Sequence, residues 1–157
     1  MSISFQQIHQ ISIDAAWYTQ PFKGFCLDSR KLEAGQIFIA LNSYSQPEKT
    51  RLFAENALNA GALAVISETD LGLANEWVCP EVRYLMGEWQ KQYLQAVDPV
   101  TTLRGIAVTG TNGKTTISRL IAELISSQGQ GCAVMGTTGN GILPNLTPST
   151  HTTLDAL

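Results

Sequence analysis

Long apolar runs are missing. No stretch approaches the roughly 20 apolar residues of a membrane-spanning helix. The opening residues, Met1-Ser2-Ile3-Ser4-Phe5-Gln6-Gln7, lack the basic-then-apolar order of an export signal. Cysteine is sparse: Cys26, Cys79 and Cys132 lie far apart, with no C-x-x-C pair. That argues against a disulfide framework or a thiolate metal site and suits a reducing compartment. Each thiol, set among apolar or strand-like neighbours, is expected to be buried and unreactive. An excess of positive charge is missing too. Lys and Arg number 10 against 13 Asp and Glu, a net charge of −3, so no nucleic-acid surface is expected. Any cation that meets phosphate must act locally. The chain is expected to be soluble and cytoplasmic, to work as a monomer, and to have no nucleic-acid or membrane partner.

What is present is the composition of a folded protein, 44% hydrophobic and 15% charged over 157 residues. The length suits one medium domain, or a small one plus part of another. Short apolar runs alternate with helical patterns, which points to an α/β arrangement. Phe25-Cys26-Leu27 is a short strand that runs into Asp28-Ser29-Arg30. Gln36 to Leu41 is almost continuously apolar, as expected for a strand covered on both faces. Ser45-Gln46-Pro47-Glu48 then fits a capping box with Ser45 at the N-cap. Leu52, Phe53, Asn56, Ala57 and Ala60 follow with a helical period, Gly61 ends the helix, and 62–66 is the next strand. From Arg83 to Val97, Leu85, Trp89, Tyr93 and Ala96 mark the packed face of another helix. His9, in a helix at the chain start, is assigned no function. Asp98-Pro99 stops the later helix, because the proline ring disfavours helical geometry before it. A domain boundary is placed there, giving 1–99 and 100–157.

Beyond the boundary, Gly105 to Thr109 reads as a buried strand. The helix from about Lys114 to Gln128 carries a stripe of Ile117, Leu120, Ile121, Leu124 and Ile125, and Gly129 ends it. Gly131 to Met135 is the next strand, completing a β-α-β unit. From Gly136 to the end, the richness in Gly, Thr, Pro and Asn reads as loop, with Asn140 turning the chain in a left-handed conformation. The fold class is therefore α/β: a small mixed-sheet N-terminal domain, followed by the first β-α-β unit of a P-loop ATPase-type parallel-sheet domain.

Strand, then Gly110-Thr111-Asn112-Gly113-Lys114-Thr115-Thr116, then helix, is the setting a phosphate loop requires. Glycines without Cβ atoms let the backbone curl and aim successive amides at one anion. A helix opening at Lys114 adds unpaired N–H groups and the positive end of its dipole. Lys114 supplies a full cation for the β- and γ-phosphates of ATP, and the Thr115 hydroxyl is placed to ligate Mg²⁺. The usual G-x-x-x-x-G-K-[ST] spacing would put glycine at position 108, where Val108 stands, so the loop is a shorter variant. The bland alternative is an ordinary strand-to-helix turn that contains G-K-T.

Thr109 to Thr116, T-G-T-N-G-K-T-T, resembles the loop of the Mur ligases, which build the peptide stem of bacterial cell-wall precursors. Asp28-Ser29-Arg30 with Gly35-Gln36-Ile37-Phe38-Ile39-Ala40-Leu41 is similar to a signature of the N-terminal domain of that family. Gly136 to Gly141 with Thr152-Thr153 is similar to a run in the members that add the third residue. The resemblance implies a three-domain ligase, of which this chain covers the first domain and the opening of the second. It implies ATP, Mg²⁺, and as substrates UDP-N-acetylmuramoyl-L-alanyl-D-glutamate and an amino acid, diaminopimelate or lysine, joined through an acyl phosphate. By resemblance Leu27, Ser29, Tyr44, Ser45 and Gln46 contact the uridine diphosphate sugar, and His151, Thr152 and Thr153 its sugar-peptide portion. Ser43-Tyr44 stands where glycine-histidine is common, and His151 where asparagine is common.

Alternatives stand beside these assignments. Ser45 could simply cap its helix, Ser29 and Arg30 could close a turn, and His151 could be a solvated loop residue. The related ligase that adds the terminal dipeptide, and a non-catalytic module for ATP or UDP-sugar, are the rival functions. With no downstream acidic magnesium ligand, no metal-bridging lysine and no amino-acid domain in the sequence, these 157 residues alone are expected to be inactive.

Overall fold

The computed structural model describes residues 3–10, 12–43, 46–98 and 104–148. They fall into two compact units, the described residues up to 98 in one and those from 104 in the other. Among them no helix is long and apolar enough to cross a membrane. The α/β class of the sequence reading stands.

The first unit opens with β1 (Ile3–Ser4) and α1 (Phe5–Ile8), passes a 3₁₀ turn at Ala16–Thr19, and pairs β2 (Pro21–Phe22) antiparallel with β1. Its main sheet is fully parallel, in the order β3 (Phe25–Cys26), β4 (Ile37–Ala40), β5 (Ala64–Ser67), β6 (Glu76–Val78). Helix α2 (Pro47–Asn59) joins β4 to β5, and α3 (Val82–Val97) follows β6. Alternation along the strands divides the core in two. Ile37, Ile39, Ala64 and Ile66 face an aromatic cluster, whereas Phe38, Ala40 and Val65 face Ala54 and Ala57 of α2. This is why β4 reads as one unbroken apolar run.

Helix α2 differs from its expected form at two points. Its N-cap is Gln46, with no side-chain cap bond, and Pro47 is the first helical residue; Ser45 lies outside the described residues. Proline fits there because the first helical amide has no partner to lose. The buried face is Thr50, Ala54 and Ala57, while Leu52 and Phe53 are exposed. Small side chains let the helix lie close on the sheet, so the large ones that suggested the stripe point outward. The stop is as expected: Gly61 takes φ +97°, and Ala62 N–H donates to the Ala57 carbonyl at 3.0 Å.

Helix α3 packs Leu85, Trp89, Tyr93 and Ala96 onto the aromatic cluster, the face its spacing predicts. At the centre is Phe5, fully buried, with the rings of His9, Trp17, Tyr18, Phe22, Phe25, Trp77 and Trp89 around it at centroid separations of 5.1 to 6.3 Å. His9 is therefore a core residue. Its backbone carbonyl accepts the Tyr18 hydroxyl, and its Nε2 is buried without a hydrogen-bond partner.

Burial pushes the His9 imidazole below its ordinary value of 6.5. The folded chain then resists a proton that the unfolded chain accepts, so stability is level above about pH 6.5 and declines as pH falls below it. His9→Phe is expected to flatten that decline in urea titrations run between pH 7.5 and pH 5, settings on the order of one unit either side of the free imidazole value. An unchanged pH slope in the variant would remove His9 as the cause.

In the second unit α4 (Lys114–Ser127) forms as expected and ends at Gly129, φ +78°. The strand expected at Gly131 to Met135 forms too, at Ala133–Gly136, but the segments before α4 and after that strand differ from the expectation. Residues 104–109 are mostly exposed and join no ladder among the described residues. A strand exists only through hydrogen bonds to a neighbour, however apolar its sequence. β7 (Ala133–Gly136) pairs antiparallel with β8 (Gly139–Ile142), and β8 pairs antiparallel with β9 (Asn145–Thr147). Within the segment read as loop, residues 139–147 thus supply two strands of a meander. Glycine is what permits it: a Cβ at Gly139 or Gly141 would sit 2.6 Å from the carbonyl oxygen of Thr147 or Asn145, respectively. Those two glycines, not Asn140, take positive φ. Asn140 lies in β8, where its side-chain oxygen accepts the Gly136 amide at 3.1 Å. The stripe on α4 is also less covered than expected, since Ile117, Leu120 and Leu124 are exposed and Ala122 is the buried residue.

All three cysteines are free. Only Cys79 is buried, and burial raises its thiol above the ordinary range. Cys26 and Cys132 are half-buried, contrary to the sequence reading.

Candidate functional site

The loop between Thr109 and α4 is curled by its glycines. Gly110 takes φ +146° and Gly113 φ +79°, and Gly113 is the N-cap of α4 in a left-handed conformation. The first helical bond runs from Ile117 N–H to the Gly113 carbonyl at 2.9 Å. The amides of Lys114, Thr115 and Thr116 therefore precede any helical acceptor, and all three residues are exposed. The Lys114 ammonium folds back over the turn, donating to the Gly110 carbonyl at 2.5 Å and the Thr111 carbonyl at 3.4 Å. A cation, three unpaired amides and a helix dipole thus share one small surface, a chemistry that fits a polyphosphate.

The Thr115 hydroxyl lies 3.1 Å from that of Thr137, just after β7. Hard hydroxyl oxygen beside a phosphate site is compatible with Mg²⁺, which takes its other ligands from phosphate and water. Among the described residues no cluster of His, Cys, Asp and Glu could hold a metal by itself. A shallow cleft lined by Thr115, Thr116, Arg119, Leu120, Glu123 and Thr138 adjoins the turn. Thr137 was missed in the sequence, where it sits inside a glycine-rich stretch.

Of the other candidate residues, Leu27, Ser29 and Gln46 belong to the first unit. Leu27 and Ser29 follow β3, and Asn42, Ser43 and Gln46 follow β4, its neighbour in the sheet. Both loops leave carboxyl ends of parallel strands, the edge at which open α/β sheets bind ligands. Tyr44, Ser45, His151, Thr152 and Thr153 lie outside the described residues.

The turn after β3 is organised by Asp28. Its carboxylate accepts Arg30 Nε at 2.9 Å, Nη2 at 2.8 Å and the Arg30 amide at 3.1 Å. The hydrogen bonds from the Arg30 side chain, then from its amide, hold the Asp28 carboxyl at about 2. Arg30 does close a turn. None of these bonds uses the half-buried Ser29 hydroxyl.

The loop after β4 is held at its root. Asn42 N–H donates to Glu68 Oε2 at 2.5 Å, and the Asn42 carbonyl accepts Arg83 Nη2 at 3.0 Å. Arg83 and Glu68 meet through two bonds, Nε to Oε1 at 2.5 Å and Nη2 to Oε2 at 3.0 Å. Ser43 N–H donates to Thr50 Oγ1, and Gln46 N–H to the Ser43 hydroxyl, both at 3.2 Å. Burial raises the Glu68 carboxyl, but the Arg83 and Asn42 hydrogen bonds outweigh it and the net shift is downward. Sequence reasoning missed Glu68 and Arg83; the one available signal was a carboxylate immediately after an apolar strand.

Comparisons with known proteins bear on both units. Residues 108–157 match the model of the Mur ligase middle domain. Over 139 residues the chain is 39% identical to a UDP-N-acetylmuramoyl-L-alanyl-D-glutamate–2,6-diaminopimelate ligase of Haemophilus influenzae (strain 86-028NP), covering 83% of this chain and 28% of the relative. A ligase of the same name from Vibrio cholerae serotype O1 is 38% identical over 141 residues, covering 83% of this chain and 27% of the relative. A solved structure of a protein of that name superposes with a TM-score of 0.88 at 78% identity, over 99% of this chain and 31% of that one. The chain spans less than a third of the length of these relatives.

Proposed function

Because this chain belongs to the Mur ligase family, we propose that it forms part of an ATP-dependent ligase of peptidoglycan-precursor synthesis. The reaction joins an amino acid to UDP-N-acetylmuramoyl-L-alanyl-D-glutamate. The names of the relatives favour 2,6-diaminopimelate over lysine as that amino acid. Residues 1–99 form the UDP-sugar domain in this reading, and 100–157 open the ATP domain.

The observation that carries the proposal is the curled turn with the Lys114 ammonium beside three unpaired amides. ATP with Mg²⁺ supplies the phosphoryl group that activates the substrate carboxylate. Gly110 and Gly113, which have no Cβ, let the backbone of Gly110, Thr111, Asn112 and Gly113 curl around that phosphate chain. Lys114, Thr115 and Thr116 direct amides at it, the Lys114 ammonium offsets its charge, and the Thr115 hydroxyl holds the metal. Leu27, Ser29, Tyr44, Ser45 and Gln46 hold the uridine diphosphate end, with His151, Thr152 and Thr153 toward the sugar-peptide end.

The test is to incubate the complete protein with the UDP-muramoyl dipeptide, Mg-ATP and one amino acid at a time. Phosphate release and product mass are then measured. Turnover is expected with 2,6-diaminopimelate. Preference for lysine would overturn the choice of amino acid, and turnover only when the UDP-muramoyl tripeptide and D-alanyl-D-alanine are supplied instead would overturn the step. The 157 residues alone are expected to release no phosphate under the same conditions.

A further inference from the structure

The geometry around Asn42 points to an assignment that rests on the uridine-nucleotide reading above. We propose that Glu68 and Arg83 are positioning residues for the UDP end of the substrate, acting by fixing the peptide groups on both sides of Asn42.

Asn42 is the second residue beyond β4, at the root of the loop that carries Gln46. The β4–β5 pairing ends at Ala40 and Ser67, so the ladder no longer determines where the chain goes. Glu68, the first residue past β5, takes over: one carboxylate oxygen accepts the Asn42 amide while the pair binds Arg83 at both oxygens. Arg83 closes the ring by donating to the Asn42 carbonyl. Thr69 adds a bond from its hydroxyl to the Asn42 side-chain oxygen at 3.3 Å. Holding both the N–H and the C=O of one residue restricts the dihedrals on either side of it, and so the direction in which the loop departs.

General stability is a poor account of this arrangement. Arg83 is the second residue of α3, where a cation opposes the helix dipole. Its side chain is 38% exposed, and ion pairs so open to solvent contribute little to folding. The planar guanidinium does what a point charge would not, since its fork reaches a carboxylate and a carbonyl together. The Glu68 side chain, at 12% exposure, is the shielded partner.

Glu68→Gln and Arg83→Lys, separately and together, should be made in the complete protein. KM for the UDP-muramoyl dipeptide, KM for ATP, kcat and Tm are then measured, with binding of plain UDP followed by calorimetry. Each single variant is expected to raise KM for the UDP-linked substrate on the order of tenfold, comparable to losing one charge-assisted hydrogen bond. KM for ATP and Tm should hold, and the double variant should be no worse than the poorer single one, because the three groups act as a unit. Equal rises in both KM values, fully additive losses, or an unchanged KM for the UDP-linked substrate would overturn the assignment. Should Glu68→Gln fail to fold, Arg83→Lys decides on the same criteria. If the unsubstituted protein binds no uridine nucleotide, the underlying reading falls. If it binds and the variants bind equally well, the positioning role alone falls.

Discussion

Lys114→Ala in the complete protein is expected to slow ATP-dependent turnover by on the order of 10³-fold, several kcal/mol of transition-state stabilisation. The size follows from what the ammonium faces. Phosphoryl transfer offers a protein little covalent chemistry to perform, so positioning and charge offset carry the rate. No cluster among the described residues could hold a metal unaided, which leaves Lys114 as the full cation built into the turn. The fold should tolerate its loss. Lys114 is exposed, and its bonds go to the carbonyls of Gly110 and Thr111 within its own loop. A Tm close to that of the unsubstituted protein, together with collapsed kcat, is therefore the expected pair of results. Phosphate release within about tenfold of normal, less than 1.4 kcal/mol, would remove the lysine from the chemistry.

The glycine-rich turn ahead of α4 was legible because its information is local. Two glycines, a lysine and a threonine at fixed spacing, ahead of a helical stripe, specify it within ten residues. Helix α3 was legible for a related reason: Leu85, Trp89, Tyr93 and Ala96 are large, and their spacing marks the face they bury. Helix α2 misled because Ala54 and Ala57 do the packing while the larger Leu52 and Phe53 face outward. Strands β8 and β9, which complete the meander with β7, were hidden by composition. Gly139 and Gly141 look like loop residues, yet they are there because backbone oxygens of the next strand approach within reach of a Cβ.

The clamp at Asn42 was hidden by distance, since Glu68 and Arg83 are 26 and 41 residues along the chain from it. No periodicity links residues brought together by parallel pairing. For the same reason Gly105 to Thr109 could be read as a strand without any way to see that no described segment pairs with it.

The convergence of rings on Phe5 is the least local feature of all, and it yields the largest expected stability effect. Phe5→Ala is expected to destabilise the first unit by about 3–5 kcal/mol, the usual range for emptying an aromatic site in a packed core. Phe5 is fully buried and touches rings from both ends of the unit, including Trp17, Phe25, Trp77 and Trp89. Those neighbours belong to separate elements that cannot all move inward, so the cavity should persist. Since whole domains are stable by only about 5–15 kcal/mol, the loss is a large share. All three tryptophans of the chain line this cluster, so urea unfolding followed by tryptophan fluorescence reads the first unit directly. The midpoint should fall with little change in slope. On the proposed reading binding should divide in the same way: in the variant, uridine nucleotide is lost at lower urea than in the unsubstituted protein, while the Mg-ATP binding proposed for the second unit keeps its midpoint. A midpoint shift equivalent to less than about 1 kcal/mol, the size of an ordinary surface change or less, would mean that Phe5 does not hold the cluster together.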